Sequence, residues 1–323
     1  MMQTGQEINP FRSIKMPKLN LHTAIANYGH TAEIKNGNIG SDRFEMDHVD
    51  ISPVPMIFRR MVRNLEFDVA EMALATYICS KHYKKEFTAL PIFLTRGFYH
   101  TGMIYRKGAE ILSPKDLEGK RVGVRSYTFT PGVWSRGILA NYHGVDLNSI
   151  TWVIAGDEHV AEFEYPENVL TSATSDLYQM LSNGEVDAVI GAPTNGSPDI
   201  LPLFTNPESL DKEWYSQNQI YPISHVLVVK DELLDSNPWL GQEIVDVFHK
   251  ARSEYLETFN KNNSIQDSAD HSQMEFSKIV GENPVNYSFL ETREAISAFV
   301  GYNLEQKLIP VALSPEELFY VEK

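Results

Sequence analysis

Short apolar runs alternate with stretches of helical periodicity along this chain, the pattern of an α/β architecture. Residues 19–26 read as a first strand, followed by a loop at 27–31. Residues 53–65 carry Ile57, Met61 and Leu65 at four-residue spacing, one face of a helix. A short strand at 67–70, a helix at 73–81 and a long apolar strand at 87–95, interrupted by Pro91, follow. Further on, 113–117 predicts a helix start and 119–124 a strand that runs toward a new helix. There Thr130 is placed to act as an N-cap, with Pro131 in the first helical position. That helix carries Val133, Trp134, Ile138 and Leu139 and ends near Gly144. The theme repeats as a helix at 176–181, a turn at Asn183-Gly184 and a strand at 186–190. A buried strand at 224–230, a long helix at 237–259 and a helical tail at 303–310 complete the reading.

With 323 residues the chain is long for one core. The element order predicts two lobes: lobe one from 19–106 and 225–323, lobe two inserted at 107–224, and an N-terminal extension at 1–18. Two chain crossings between such lobes make a hinged cleft suited to a small molecule. No internal repeat interrupts this order.

Charge narrows the classes of partner. The formal net charge of −15 argues against nucleic acid, which needs a basic stripe. The pairs Arg59-Arg60, Lys84-Lys85 and Lys120-Arg121 read as solvated faces. A single cysteine, Cys79, in an apolar helix, allows no intrachain disulfide and reads as core. No window reaches the roughly 18 apolar residues of a membrane span. Residues 1–18 are polar and lack the apolar run of a secretory signal, so the expectation is a cytoplasmic protein. Ten histidines are present, but no pair or helix carries zinc-type spacing, so no metal and no cofactor are expected.

Several segments then resemble one family in order along the chain. They are 67–74 (FDVAEMAL), 90–100 (LPIFLTRGFYH), 116–124 (DLEGKRVGV), 133–137 (VWSRG) and 221–225 (YPISH). Together they resemble the 4,5-dihydroxyphthalate decarboxylases, over roughly residues 20–310. The resemblance implies a two-lobed, type II periplasmic-binding-protein-like α/β fold, each lobe a mixed sheet flanked by helices, with an interlobe cleft turned into an active site. It implies cofactor-independent decarboxylation of a hydroxylated aromatic carboxylic acid. The chain departs from the family pattern at Tyr28-Gly29-His30-Thr31, at 156–160 (GDEHV) and at Ala192-Pro193-Thr194, which leaves the exact acid open.

The chemistry sets the requirements. An aryl carbanion is too unstable to form directly. A ring hydroxyl ortho or para to the carboxylate instead assists protonation of the carbon that bears it, and the dienone-like intermediate releases carbon dioxide. Such a site needs a positioned acid, an acceptor for the phenolic proton, a cation for a second carboxylate and a dry pocket. His100 and His225 are the candidate proton donors, because imidazole titrates nearest neutral pH. Glu71, in an apolar stretch, is the candidate partner for a histidine or acceptor of a phenolic proton. Arg96 suits a carboxylate through its planar fork. Tyr28, His30, Thr31, Thr128, Thr130 and Arg136 are candidate substrate-binding residues, at the first loop and at the strand-to-helix junction. The partner expected is a small aromatic carboxylate. The alternative is a non-catalytic binding protein of the solute-receptor type, which needs complementary donors but no positioned acid. The 237–259 helix and the aromatic tail Leu318-Phe319-Tyr320 either supply a homo-oligomer surface or finish the core of lobe one.

Overall fold

The computed structural model describes residues 17–262 and 268–321. The expected 1–18 extension lies almost wholly outside them. Among the described residues eleven strands form two sheets. The first holds β1 (Leu19–Ala24), β2 (Phe44–His48), β3 (Val69–Ala73), β4 (Phe87–Arg96) and β11 (Ile223–Lys230), in the order β2-β1-β3-β11-β4. The second holds β5 (Met103–Arg106), β6 (Arg121–Val124), β7 (Thr151–Ile154), β8 (Val169–Thr171), β9 (Ala188–Ile190) and β10 (Ile200–Pro202), in the order β10-β5-β9-β6-β7-β8. Both sheets are mixed. β2, β1 and β3 run parallel with β11 antiparallel between β3 and β4, and β9, β6, β7 and β8 run parallel.

The chain enters the second sheet earlier than expected. β5 pairs with β9 and β10, so Met103–Arg106 belong to the inserted unit, and the first sheet resumes at Ile223. β2 is an edge strand whose apolar Phe44 and Met46 alternate with Glu45 and Asp47, too short and too charged to stand out in the sequence. β3 starts at Val69 and is buried at every position, Glu71 included. Pro91 is accommodated because β4 lies at the sheet edge, where a missing ladder donor costs little. The long helix expected at 237–259 runs Leu240–Asn262, preceded by a separate short helix at Asp231–Ser236, and the closing helix is Phe289–Glu305 rather than a tail from 303.

Part of the aromatic tail contributes to the core of the first sheet. Leu318 and Phe319 are buried, and Phe319 packs on Tyr77, Phe93 and Phe289 in the first sheet's core. One continuous apolar cluster joins both sheets, with Trp134 of the Thr130–Asn141 helix stacked on Phe299 of the closing helix at 4.5 Å. The Trp134 indole N–H also donates to the Ile223 carbonyl at 2.8 Å, at the point where the chain re-enters the first sheet. Among the described residues no helix is long and apolar enough to cross a membrane.

Candidate active site

A carboxylate–imidazole pair follows from the pairing of β3 and β11. In that register His225 lies opposite Ala73, and Leu227 lies opposite Glu71. Glu71 and His225 are therefore diagonal neighbours on one face, within reach of each other. The register of β11 against β4 slips on both sides of His225, a bulge of the kind that re-aims a side chain. The result is a 2.6 Å contact between His225 Nδ1 and Glu71 Oε1. The carboxylate, fully buried, also accepts the Tyr28 hydroxyl at 2.5 Å on Oε1 and the Ala26 N–H at 2.8 Å on Oε2. Burial alone would raise its pKa, but the His225 hydrogen bond and charge, with Tyr28 and Ala26, outweigh it and hold Glu71 ionised. An ionised Glu71 fixes the proton of His225 on Nδ1 and turns Nε2 outward.

His225 borders a cavity of about 340 Å³ between the two sheets, within the range of ligand pockets. Pro55, Phe58, Ala73, Thr76 and His225 form one wall; Arg125, Phe129, Thr130, Pro131 and His159 form the facing one. Phe58 touches both imidazoles edge-on, at 4.9 Å from His225 and 5.7 Å from His159. His159 Nδ1 lies 3.2 Å from the Thr76 hydroxyl. Burial, then the charges of Arg125 and Arg59, pull the His159 pKa down to about 3, so the ring is neutral at working pH. Arg125 stacks over Phe129 at 5.1 Å, and among the described residues its guanidinium has no hydrogen bond or ion pair. The neighbouring Glu158 carboxylate is occupied by the Tyr127 N–H and by the Thr128 N–H and hydroxyl.

The walls are tied across the cleft. Arg59 and Arg63, on the Pro55–Asn64 helix, both reach Asp157, and Arg63 also donates to the carbonyls of Glu158 at 2.8 Å and His159 at 3.2 Å. Ala75, in the first turn of the Leu74–His82 helix, has an N–H without a partner in its own helix. The Thr130 hydroxyl accepts it at 3.0 Å.

Of the residues expected in the site, His225 and Thr130 line this cavity, and Glu71 and Tyr28 stand behind His225. The others sit elsewhere, each for a definable reason. Expected as a proton donor, His100 is buried with Nδ1 2.6 Å from Asp211, packed among Tyr142, His143 and Phe204. Arg96, expected at a substrate carboxylate, donates to the carbonyls of Asn286 and Tyr221 and lies over the Tyr221 ring, holding two loops together. His30 donates from Nε2 to the Leu94 carbonyl and accepts the Tyr287 hydroxyl on Nδ1, and burial lowers its pKa to about 4, so it is a neutral core residue. Buried beside it, Thr31 donates to the Tyr28 carbonyl. Thr128 holds Glu158 instead of a ligand. Arg136 is fully buried, donating to Gln306 and the Tyr127 carbonyl. Thr130 caps the facing helix, not its own, whose N-cap is Phe129.

The residues missed are Arg125, His159, Phe58, Thr76 and Phe129. A signal for two of them was present. Arg125 directly follows β6 and His159 lies five residues after β7, and open α/β sheets bind ligands outside the carboxyl ends of their strands. Among the described residues no group of three or more His, Cys, Asp or Glu is placed to hold a metal.

No family model matches the chain. It is 30% identical to the 4,5-dihydroxyphthalate decarboxylase of Comamonas testosteroni over 332 residues, 94% of this chain and 97% of that one. It is 33% identical to the 4,5-dihydroxyphthalate decarboxylase of Pseudomonas putida over 216 residues, 62% of this chain and 83% of that one. Among solved structures, a periplasmic sulfonate-binding protein SsuA of Methylobacillus flagellatus superposes with a TM-score of 0.54 at 11% identity, covering 95% of this chain and 92% of that one. The periplasmic aliphatic sulphonate-binding protein SsuA of Escherichia coli gives 0.52 at 13% identity, covering 95% and 94%. These structural likenesses speak to the fold alone, a periplasmic-binding-protein-like one. The sequence likeness, nearly full-length on both sides, goes further: the chain belongs to the 4,5-dihydroxyphthalate decarboxylase family.

Proposed function

We propose that this protein decarboxylates 4,5-dihydroxyphthalate in the interlobe cavity, with His225 as general acid and Glu71 as the residue that orients it. The observation that carries the reading is buried Glu71 paired with half-buried His225 at the edge of an aromatic-lined cavity, whose facing wall holds a guanidinium with no hydrogen bond or ion pair among the described residues. Each carboxylate of this substrate has a hydroxyl para to it. Electron release from that hydroxyl raises the basicity of the carbon bearing the carboxylate. The imidazolium Nε2–H of His225 gives its proton there, forming the new C–H bond. The C–C bond to the carboxylate then breaks, its electron pair restores the aromatic ring, and carbon dioxide leaves. Neutral His159 is the hydrogen-bond acceptor for the assisting phenolic O–H, and water reprotonates His225. Phe58, Phe129 and Pro131 keep the leaving carboxylate poorly solvated, which favours its departure as neutral carbon dioxide.

Purified protein incubated with 4,5-dihydroxyphthalate is expected to release one equivalent of carbon dioxide, and none from phthalate, which lacks the assisting hydroxyls. Thermal stabilisation by both compounds with no carbon dioxide from either would instead support a non-catalytic aromatic-carboxylate receptor. A cytoplasmic location belongs to the same proposal. Fractionation of native cells tests it, with release of the protein by osmotic shock as the contrary result.

A further inference from the structure

4,5-Dihydroxyphthalate is symmetric, and losing one carboxylate leaves 3,4-dihydroxybenzoate, whose remaining carboxylate still has a hydroxyl para to it. Ring electronics alone therefore do not stop the reaction after one step; positioning must. We infer that Arg125 anchors the carboxylate that is retained, and so selects ortho-dicarboxylates and limits the reaction to a single decarboxylation. This rests on the decarboxylase reading of the cavity.

Three observations converge on Arg125. It lines the cavity on the wall that faces His225. Among the described residues its guanidinium makes no hydrogen bond or ion pair, although the nearby Arg59, Arg63 and Arg136 are all engaged. Glu158, the neighbouring carboxylate, already accepts from Tyr127 and Thr128. The stacking on Phe129 leaves the edge of the fork, with its N–H donors, for a planar carboxylate, which it matches bidentately. With one carboxylate on Arg125, the other is presented toward the His225 wall. The monocarboxylate product keeps its single carboxylate on Arg125, leaving no carboxylate at the acid, and is bound as an inhibitor.

Titration calorimetry with two unreactive probes tests this without turnover. For Arg125→Met, phthalate affinity is expected to fall at least 30-fold while catechol, which has no carboxylate, stays within twofold; Arg125→Lys recovers part of the loss. In the wild type, 3,4-dihydroxybenzoate is expected to inhibit competitively and to yield no catechol, and Arg125→Met loses that inhibition. Unchanged phthalate binding in Arg125→Met, or an equal loss of catechol binding, overturns the assignment. Wild-type protein that binds phthalate through Arg125 yet releases no carbon dioxide from 4,5-dihydroxyphthalate overturns the decarboxylase reading and leaves the anchor standing.

Discussion

At the scale of single residues, the account depends on a carboxylate that costs much to bury and is kept charged by three donors. Removing the acid should slow the chemistry without emptying the pocket. For His225→Gln the expected fall in kcat is about 10²- to 10⁴-fold, the usual contribution of a general acid, with phthalate binding retained. Glu71→Gln is expected to cost less in rate. The neutral amide no longer holds the His225 ring with Nε2 toward the cavity, so kcat should fall while phthalate affinity is kept. Wild-type kcat in Glu71→Gln would remove Glu71 from the mechanism. Stability should respond to pH through the buried imidazoles. His30 and His159 have folded pKa values lowered to about 4 and about 3 from 6.5, so the unfolded chain takes up protons that the native protein refuses. Their contribution is complete above pH 6.5 and is lost as pH falls from there toward 4, by up to about 1.4 kcal/mol per pH unit per group. The lowered pKa of Glu71 acts in the same direction at still lower pH. Urea midpoints at pH 7, 5.5 and 4.5 should decline monotonically, and a flat series would contradict the neutral, buried state of these rings.

At the scale of elements, two contacts decide how the lobes meet. The Thr130 hydroxyl completes the first turn of the Leu74–His82 helix, so Thr130→Val strands the Ala75 N–H in the interior. About 1–3 kcal/mol of stability should be lost, read from the urea midpoint. Gly137 permits the Thr130–Asn141 helix to press against the closing helix, since a Cβ there would run into the Tyr302 ring. Gly137→Ala should therefore destabilise by about 1–3 kcal/mol through overpacking, and a neutral effect would show that the Tyr302 ring moves freely. The Thr130 case also shows what the sequence conveys about this fold. Thr130-Pro131 marks a helix start correctly, because capping preferences are local, but which helix the hydroxyl serves is decided across the cleft. The strands around β3, β4, β6 and β11 were legible as apolar runs, whereas β2, short and half charged, was not. The site was legible only in part for the same reason. His225 and Glu71 become partners through the antiparallel β3–β11 register, which no local pattern encodes. Arg96 and Arg136 have the right chemistry for an anion, yet backbone carbonyls already occupy them. Nothing in their immediate sequence distinguishes them from Arg125, which among the described residues makes no hydrogen bond or ion pair.

At the scale of the whole molecule, the larger of two apolar clusters spans both sheets, so the lobes are expected to unfold together. Heating should give a single cooperative transition, and two resolved transitions would contradict the shared core. Phthalate at about 100 times its Kd should add about 2.7 kcal/mol to the stability of the closed protein and raise the Tm by several degrees. The surface latch from Arg59 and Arg63 to Asp157 contributes little to that stability, because Asp157 is 63% exposed. Its role is to hold the backbone that carries His159. On the proposed mechanism, one proton passes from the His225 imidazole, in exchange with water, to one ring carbon. The most direct measurement is turnover of 4,5-dihydroxyphthalate in deuterium oxide, with the product examined by NMR. The expected result is one equivalent of carbon dioxide and a 3,4-dihydroxybenzoate bearing a single deuterium at the vacated carbon, both formed about 10²- to 10⁴-fold more slowly in His225→Gln. Carbon dioxide release at wild-type rate from His225→Gln, or a product carrying no deuterium at that carbon, would contradict it.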